Sequence, residues 1–415
     1  MHPRACLPVL LLLPLLLSGC TQAPPAGQGG APPDEPSPPG PAVPPGDGRA
    51  GTEPGEPAPP EGQAPPDEPV QALSSFRTSP EIPSEAERAT LPPCGLTPFS
   101  LPPVDLAQVT SITPLGSLGP PGHTFPTEHS FIHFQPGGTS TTTYPLAAPA
   151  DIFITQIAQQ FGITQDPEDS TIFFAVCQDV VGYFNHVKAL SPALEQIVRD
   201  SGCAGKPHFG PNACMIQVLE FVPAGAALGE VGRLQGNFDF GLLDLRITHP
   251  YANPARYGGR SAHIECPYAY YPPTLREQFF GLIARNDPRQ CGTSFQDVPG
   301  TLQGNWFFSE TTDPIAQWEY YLAFVPDNED PATLVVSIGG VIADPQKIAF
   351  APQSSGAVNR AFAQVSPGSA IHCYQGEGTG KVLVRLDSPT SLAIEYREGS
   401  CGAMEAFSAP ATYMR

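Results

Sequence analysis

Residues 116–134 read GSLGPPGHTFPTEHSFIHF, and residues 180–187 read VVGYFNHV. The first stretch is a glycine- and proline-rich loop that leads into an alternating run of apolar and polar residues. Because successive side chains of an extended strand point to opposite faces, we expect His129, Phe131 and His133 on one face. Residues 129–134 therefore predict a strand that carries imidazoles. Four of the nine histidines lie in this part of the chain, namely His123, His129, His133 and His186.

Further apolar runs, rich in Ile, Val, Phe and Thr and bounded by Gly and Pro, are typical of strands. They predict a mostly β protein with few short helices. We expect an antiparallel β-sandwich domain over residues 94–260, followed by a second small β-barrel or β-sandwich domain over residues 261–415. The predicted strands span residues 104–113, 129–134, 152–157, 171–176, 215–222, 305–309, 318–325, 333–338, 381–386 and 392–396.

Two segments show helical rather than strand spacing. Residues 191–201 follow a Ser-Pro pair suited to a helix start and end before Gly202. Residues 275–285 follow Thr274, which could form a capping box with Glu277. An aromatic cluster around the second segment, Tyr268 to Phe280, either packs a domain interface, the preferred interpretation, or stacks on sugar rings.

The charge of the chain excludes one class of partner. Forty acidic residues against 20 basic ones give a net charge of −20, and only 14% of residues are charged. Binding to nucleic acid requires Lys and Arg at the phosphates, so no nucleic-acid partner is expected. Part of the acidity belongs to a proline-rich segment and says little about a site.

Residues 1–20 are typical of an export signal. Arg4 precedes an apolar core over residues 7–17, which is shorter than the ~20 residues that a membrane-spanning helix needs. The core ends in Leu17-Ser18-Gly19-Cys20, which resembles the lipobox of bacterial lipoproteins. The resemblance implies cleavage before Cys20 and lipidation of its thiol, so that acyl chains hold the protein on a membrane.

Residues 21–93 are dominated by Pro, Gly, Ala, Glu and Asp. They offer almost nothing to bury and are predicted to be a disordered, acidic tether. Together with the lipobox, the tether predicts a protein of the bacterial cell envelope, at the outer membrane, the surface or the periplasmic face. Its expected partners are the membrane, through the lipid, and peptidoglycan or envelope proteins.

Eight cysteines remain after Cys6 and Cys20, and an even number in an exported chain predicts disulfides. Their connectivity is open, since eight cysteines allow 105 pairings. Cys203–Cys214 and Cys373–Cys401 are the natural local candidates and Cys266–Cys291 the next, while Cys94 and Cys177 complete the eight. The candidate residues are Cys203, Cys214, Cys266, Cys291, Cys373 and Cys401.

Four short motifs occur in a recognisable order: Gly122-His123, APAD at 148–151, YFNHV at 183–187 and GEVG at 229–232. Together they resemble the lysostaphin-type zinc metallopeptidases of bacterial cell walls, over about a third of the chain. The resemblance implies an antiparallel β-sandwich. In that family a histidine and an aspartate four residues later bind zinc, a Tyr-x-His-Leu segment gives a catalytic histidine, and a closing His-x-His gives a further ligand and a further catalytic histidine.

The resemblance implies a role for individual residues. His123 matches the first zinc ligand and His186 the catalytic histidine. Glu128, five residues after His123, stands for the second ligand, with His129 as its alternate. Asp239 stands near the second histidine of the closing motif, and nothing stands for the first. The implied metal set is therefore His123, Glu128 and Asp239.

Because the closing His-x-His motif of the family is missing here, the resemblance leads to two functional expectations. The preferred one is a non-catalytic binding or scaffolding protein on a degenerate peptidoglycan-peptidase-like fold, with no cofactor. The alternative is a zinc metalloendopeptidase that acts on cell-wall peptides with an altered ligand set. A third class, a solute-binding or assembly lipoprotein that uses the C-terminal domain, stays open. Zinc content separates the first two.

Overall fold

The computed structural model describes residues 82–134, 142–159, 169–206, 214–233, 236–285, 287, 290–308 and 318–415. The predicted signal, Cys20 and most of the predicted tether lie outside these residues. The described residues all belong to one compact unit that spans Val70–Arg415. None of the helices in the described ranges is long and apolar enough to cross a membrane.

The fold is mostly β, as predicted, and its strands form three sheets. The helices are α1 (Glu85–Arg88), α2 (Pro192–Ser201) and α3 (Pro273–Phe280). The strands are β1 (Ser111–Thr113), β2 (Ser130–His133), β3 (Tyr144–Ala147), β4 (Ile152–Gln159), β5 (Ser170–Cys177), β6 (Val180–Val187), β7 (Ala189–Leu190), β8 (Met215–Val222), β9 (Ala227–Val231), β10 (Asn237–Asp244), β11 (Gly304–Phe308), β12 (Tyr321–Pro326), β13 (Leu334–Ile338), β14 (Gln346–Phe350), β15 (His372–Gln375), β16 (Gly380–Ser388), β17 (Ser391–Glu398) and β18 (Ala411–Met414).

The first sheet has seven antiparallel strands in the order β1-β2-β10-β6-β5-β4-β8. The small sheet β3-β9-β7 packs over one of its faces, because Leu146, Leu190 and Leu228 share a core with Ile154 and Phe184 of the large sheet. Apolar residues on alternate positions of each strand explain this burial. The opposite face of the large sheet carries the predicted site.

The eight strands of the C-terminal part follow the order β14-β13-β12-β11-β18-β17-β16-β15. The two terminal strands of this order, β14 and β15, lie beside each other, so the sheet is a nearly closed barrel. Its interior is filled with side chains that include Trp306, Phe324 and Tyr374. Closure leaves this sheet with little exposed edge.

Helix α2 agrees with its sequence signals. Pro192 is its first residue, Leu194 and Val198 are buried, and Gly202 ends it in the left-handed conformation with φ 71°. Helix α3 differs from its prediction: it begins at Pro273 after Pro272, forms no side-chain cap, and ends at Phe280. After the helix, residues 282–284 pair with β1 instead of continuing the helix. The N–H of Ile112 donates to the carbonyl of Leu282 at 2.8 Å.

The predicted strand over residues 104–113 is wrong for its first half. Asp105 accepts a hydrogen bond from the N–H of Ala107 and caps a short 3-10 helix, Leu106–Gln108. A local side-chain acceptor of this kind competes with strand pairing. Only β1 remains of the predicted strand.

The aromatic cluster near α3 is buried in the first core. Tyr268, Tyr271 and Phe279 are 0% exposed, and the Tyr268 and Phe279 rings lie 4.8 Å apart. These three rings are therefore unavailable to a sugar. The first core extends past residue 260, since Tyr268, Phe279 and Cys291 all belong to it and pack with the first sheet.

All eight predicted cysteines are paired. The three local candidate pairs form as expected, and Cys94 bonds to Cys177 on the central strand β5. That fourth bond joins residues 83 positions apart. The bridges are Cys94–Cys177, Cys203–Cys214, Cys266–Cys291 and Cys373–Cys401.

Candidate functional site

The site begins with a row of side chains across three neighbouring strands. Asp239 of β10 lies opposite Phe131 of β2 on one side and opposite Asn185 of β6 on the other. Directly opposed residues of antiparallel strands project from the same face. The even positions beside them, Ile132 and Phe238, point to the main core on the other face.

A β-bulge adds His186 to this face. Between the pairs Ser170–Val187 and Ile172–Phe184, one residue of β5 faces two residues of β6, Asn185 and His186. His186 has a φ of 64°, in the left-handed region that costs a non-glycine residue energy. The bulge breaks the alternation of β6 and so brings both side chains to Asp239.

His186 lies between two buried carboxylates. Its Nδ1 is 3.1 Å from Oδ2 of Asp169, which directly precedes β5, and its Nε2 is 3.6 Å from Oδ2 of Asp239. Asp169 is fully buried and Asp239 is 2% exposed. The same Asp239 oxygen accepts a hydrogen bond from the Asn185 amide at 3.0 Å and lies 3.3 Å from Nε2 of His129.

These surroundings separate the pKa values of the two buried histidines. Burial lowers the pKa of His186, but the Asp239 and Asp169 carboxylates outweigh burial and raise it to about 9. Burial lowers the pKa of His129 to about 4, because the attraction of Asp239 is too weak to offset it. Burial also raises the pKa of Asp239, but the His129 and His186 rings and the Asn185 amide outweigh this and lower it. At neutral pH the site therefore holds a charged His186, an ionised Asp239 and a neutral His129.

His123 lies at the solvent side of the cluster. Its exposed ring lies 5.6 Å from the His129 ring and 6.0 Å from the Phe131 ring, and it is within electrostatic range of Asp239 and His186. His133, further along β2, contacts Thr113 Oγ1 at 2.9 Å through its Nε2. The structure thus brings His123, His129, His186 and Asp239 together from three separate parts of the chain.

Glu128 does not join this cluster. Its carboxylate accepts hydrogen bonds from Nε of Arg260, at 2.8 Å, and from the Ser261 hydroxyl. The neighbouring residue, His129, which was the alternate in the predicted metal set, occupies the place beside Asp239. A one-residue step along an extended chain reverses the side-chain direction, which explains the exchange.

The resemblance implies zinc, and the residues present fit it poorly. A catalytic zinc takes three protein ligands and keeps one position open. In the part of the chain that the structure describes, no three His, Cys, Asp or Glu side chains are arranged to hold a metal ion. Asp239 Oδ2 is already engaged by Asn185 and two imidazoles, and the proton on His186 competes with a cation. Two atoms of suitable chemistry, His129 Nε2 and Asp239 Oδ1, lack a hydrogen-bond partner among the described residues.

A separate cleft of about 440 Å³ lies on another part of the molecule. Its lining is mostly apolar and includes Pro92, Phe153 and Phe221, and its one titratable lining residue is Asp151. It contains no imidazole and lacks the paired acidic and basic groups that chemistry requires. The histidine cluster is the better candidate site.

Two site residues, Asp169 and Asn185, were not expected from the sequence. Asn185 adjoins His186, but a regular strand would have placed the two on opposite faces, and only the bulge aligns them. Asp169 reaches His186 because β5 and β6 are paired, and the sequence predicts β5 as a strand but neither β6 nor its pairing with β5. The Asn-His pair in an otherwise apolar strand was the available signal.

No protein-family model matches the sequence, and no curated protein matches it significantly. Among solved structures, the chain is weakly similar to one described as the NMR solution structure of lysostaphin, with a TM-score of 0.24 and 11% sequence identity. The match covers 77% of this chain and 92% of that chain. So low a TM-score carries no argument about the site.

Proposed function

We propose that this chain is a lipid-anchored binding protein of the bacterial cell envelope, on a peptidoglycan-peptidase-like β-fold that does not cleave its ligand. The ligand is a cell-wall fragment, a peptide or glycan piece of peptidoglycan. The observation that carries the proposal is the convergence of His123, His129 and His186 around Asp239. It puts partly exposed imidazoles beside a buried carboxylate, where a polar ligand can be held.

The arrangement favours binding over hydrolysis. His186 and Asp239 neutralise each other, and Asn185 and Asp169 hold both of them in place. A hydrolase needs a group whose pKa suits proton transfer near neutral pH, whereas His186 keeps its proton up to a pH of about 9 and His129 stays neutral down to about 4. Neither histidine is poised to exchange a proton at pH 7.

A zinc metalloendopeptidase is the second candidate. His129 Nε2 and Asp239 Oδ1 favour it, since both atoms are buried and neither makes a hydrogen bond in the described ranges. These atoms could supply two of the three ligands that the chemistry needs. Zinc would then activate a water, as in other zinc hydrolases.

Titration of the purified protein with a soluble disaccharide-peptide fragment of peptidoglycan tests the binding proposal. We expect saturable binding without release of new amino groups. Asp239→Asn removes the charge that holds His186 and His129 in place, so it should weaken binding at least tenfold. His372→Gln, a change at a half-buried histidine on β15 of the barrel, is the matched control and should leave binding unchanged.

Metal analysis on the same protein separates the two candidates. Stoichiometric zinc that disappears in His123→Ala, together with chelator-sensitive hydrolysis of peptidoglycan, would replace the binding proposal with the second candidate. Saturable binding that is insensitive to both chelator and zinc supports the first.

The anchor is part of the same proposal. It rests on the apolar run that ends in Leu17-Ser18-Gly19-Cys20. In cells fed a labelled fatty acid, we expect the label on the wild-type protein and none on Cys20→Ala, which should persist as an uncleaved precursor. Normal labelling of that variant would remove the anchor from the proposal.

A further inference from the structure

The loop that carries His123 is held by the C-terminal barrel. Leu118 packs among Ala323, Val325 and Val335, and its carbonyl accepts a hydrogen bond from Nζ of Lys347 at 3.0 Å. The loop therefore has a fixed position relative to barrel side chains.

Two residues after His123, Phe125 stacks on Tyr321 of the barrel, with ring centroids 4.2 Å apart and 7° between the ring planes. The barrel is thus in contact with the loop on both sides of His123, at Leu118 and at Phe125. A barrel residue that reaches the loop between these two contacts stands beside the candidate site.

Trp318 is that residue. A Cβ placed on Gly122 would lie 3.8 Å from Cζ3 of Trp318, so the indole lies against the loop one residue before His123. Its backbone is fixed to the barrel, because the Trp318 carbonyl packs closely on Gly339 and the next residue, Glu319, accepts a hydrogen bond from Val341 N–H at 3.2 Å.

The indole is also open to solvent. Trp318 is 40% exposed, whereas the other tryptophan of the chain, Trp306, is 0% exposed and lies under the Arg415 guanidinium. An exposed indole offers a flat apolar face and one N–H group that a ligand can cover. Gly122, which it contacts, directly precedes His123, whose own ring lies 5.6 Å from the His129 ring and 6.0 Å from the Phe131 ring.

We infer that Trp318 forms the aromatic wall of the histidine site, and that the group it receives is a sugar ring of the cell-wall glycan. The inference rests on the proposed function and names the part of the ligand that the site recognises. The C–H face of a pyranose ring is apolar and covers an indole, while its hydroxyl and amide groups are uncharged hydrogen-bonding groups. The exposed His123, next to the indole-bearing part of the loop, offers a ring nitrogen to such groups.

Tryptophan fluorescence reports on this wall directly, because the only other indole is buried. The experiment titrates the full-length protein with three soluble probes: a disaccharide-peptide fragment of peptidoglycan, its disaccharide alone and its peptide alone. We expect the first two to shift or quench the emission and to protect it from an aqueous quencher. The peptide alone should do neither.

Variants test the assignment of the signal and of the affinity. Trp318→Ala should abolish the fluorescence change and weaken binding of the disaccharide at least tenfold, and Trp318→Phe should restore part of the affinity without the signal. Phe221→Ala is the matched control, since Phe221 is a 51% exposed aromatic residue on β8, at the far edge of the first sheet. It should bind like the wild type.

The outcomes separate this inference from the proposed function. If the disaccharide-peptide binds in a manner that depends on Asp239 but is unchanged in Trp318→Ala, the inference is wrong and the proposed function stands. Binding of the peptide alone with unchanged fluorescence also overturns the inference. Failure of all three probes to bind the wild-type protein overturns both.

Discussion

His186 keeps its proton because two buried carboxylates face its two ring nitrogens. Its folded pKa of about 9 lies above the value of about 6.5 that an unfolded chain gives a histidine. The folded state therefore binds this proton more tightly than the unfolded state does. The resulting stabilisation is fully present below a pH of about 6.5 and is lost as the pH rises through 9. His129 acts in the opposite direction, and its folded pKa of about 4 removes stability as the pH falls from 6.5 towards 4.

The free energy of unfolding should therefore fall between pH 6.5 and 9.5 by an amount to which His186 contributes on the order of 3 kcal/mol. His186→Gln should lose most of this dependence, and His372→Gln should retain it. Denaturant unfolding at several pH values measures the difference, and NMR titration of the imidazole gives the pKa itself. An imidazole that is already neutral at pH 7.5 would contradict the description of the site.

At the scale of single residues, the sequence located part of the site. His123, His186 and Asp239 were predicted to converge, and they do lie close together. Their functional roles remain predictions. Asp169 and Asn185 could not be predicted, because a bulge and the pairing of β5 with β6 decide their positions. Whether Glu128 or His129 faces Asp239 depends on the residue at which the loop becomes a strand. If the predicted start of the strand is wrong by one residue, the predicted direction of each side chain is reversed.

At the scale of the structural elements, a cross-strand pair of a glycine and a tyrosine packs β10 against β6. Gly241 lies directly opposite Tyr183, and the tyrosine ring occupies the space where a side chain of residue 241 would begin. The same relation holds between Gly182 of β6 and Phe174 of β5. An aromatic ring that folds over a cross-strand glycine compensates for the missing side chain. In this position the Tyr183 hydroxyl donates to the Glu128 carbonyl at 3.0 Å.

Gly241→Ala should destabilise the protein by roughly 1–3 kcal/mol, since the new methyl group displaces a buried ring in a packed sheet. Gly95→Ala is the matched control, because a Cβ there meets no atom within 4 Å. Thermal and denaturant unfolding of the two variants measure the contrast. Equal stability of the two would show that Tyr183 can move aside at no cost.

The elements themselves were predictable where local signals act alone. Strand β8 matches its predicted bounds, and α2 begins and ends at the expected Ser-Pro pair and glycine. Helix α3 was predicted too long because its last turn is replaced by tertiary pairing with β1. No local pattern in residues 281–285 contains that information.

In the molecule as a whole, the site depends on contact between the first sheet and the barrel. Phe125 is central to it, with its ring stacked on Tyr321 and edge-on to Phe307 at 5.0 Å. The loop that bears His123 has no regular strand or helix of its own. Its position therefore comes from these aromatic contacts together with the contacts of Leu118.

Phe125→Ala should lower the free energy of unfolding by about 1–3 kcal/mol, less than a fully buried phenylalanine, because Phe125 is only partly buried. It should also raise amide exchange in residues 119–125 and weaken ligand binding, although Phe125 itself lies outside the histidine cluster. Leu101→Ala, at a 41% exposed leucine, is the control. Unchanged exchange in the loop would show that the Leu118 contacts suffice to hold it.

The Cys94–Cys177 bridge has a mechanical consequence. It joins the start of the globular part directly to β5, a central strand with a neighbour on each side. A pulling force applied upstream of Cys94 passes through the sulfur atoms to Cys177, the last residue of β5, and from there along the chain into β6. Residues 95–176, which include the His123 loop, β2 and the rest of β5, form a closed covalent loop that the force bypasses. Tension on the N-terminal side would thus enter the sheet at the turn between β5 and β6, and the backbone of the histidine-bearing loop would carry none of it.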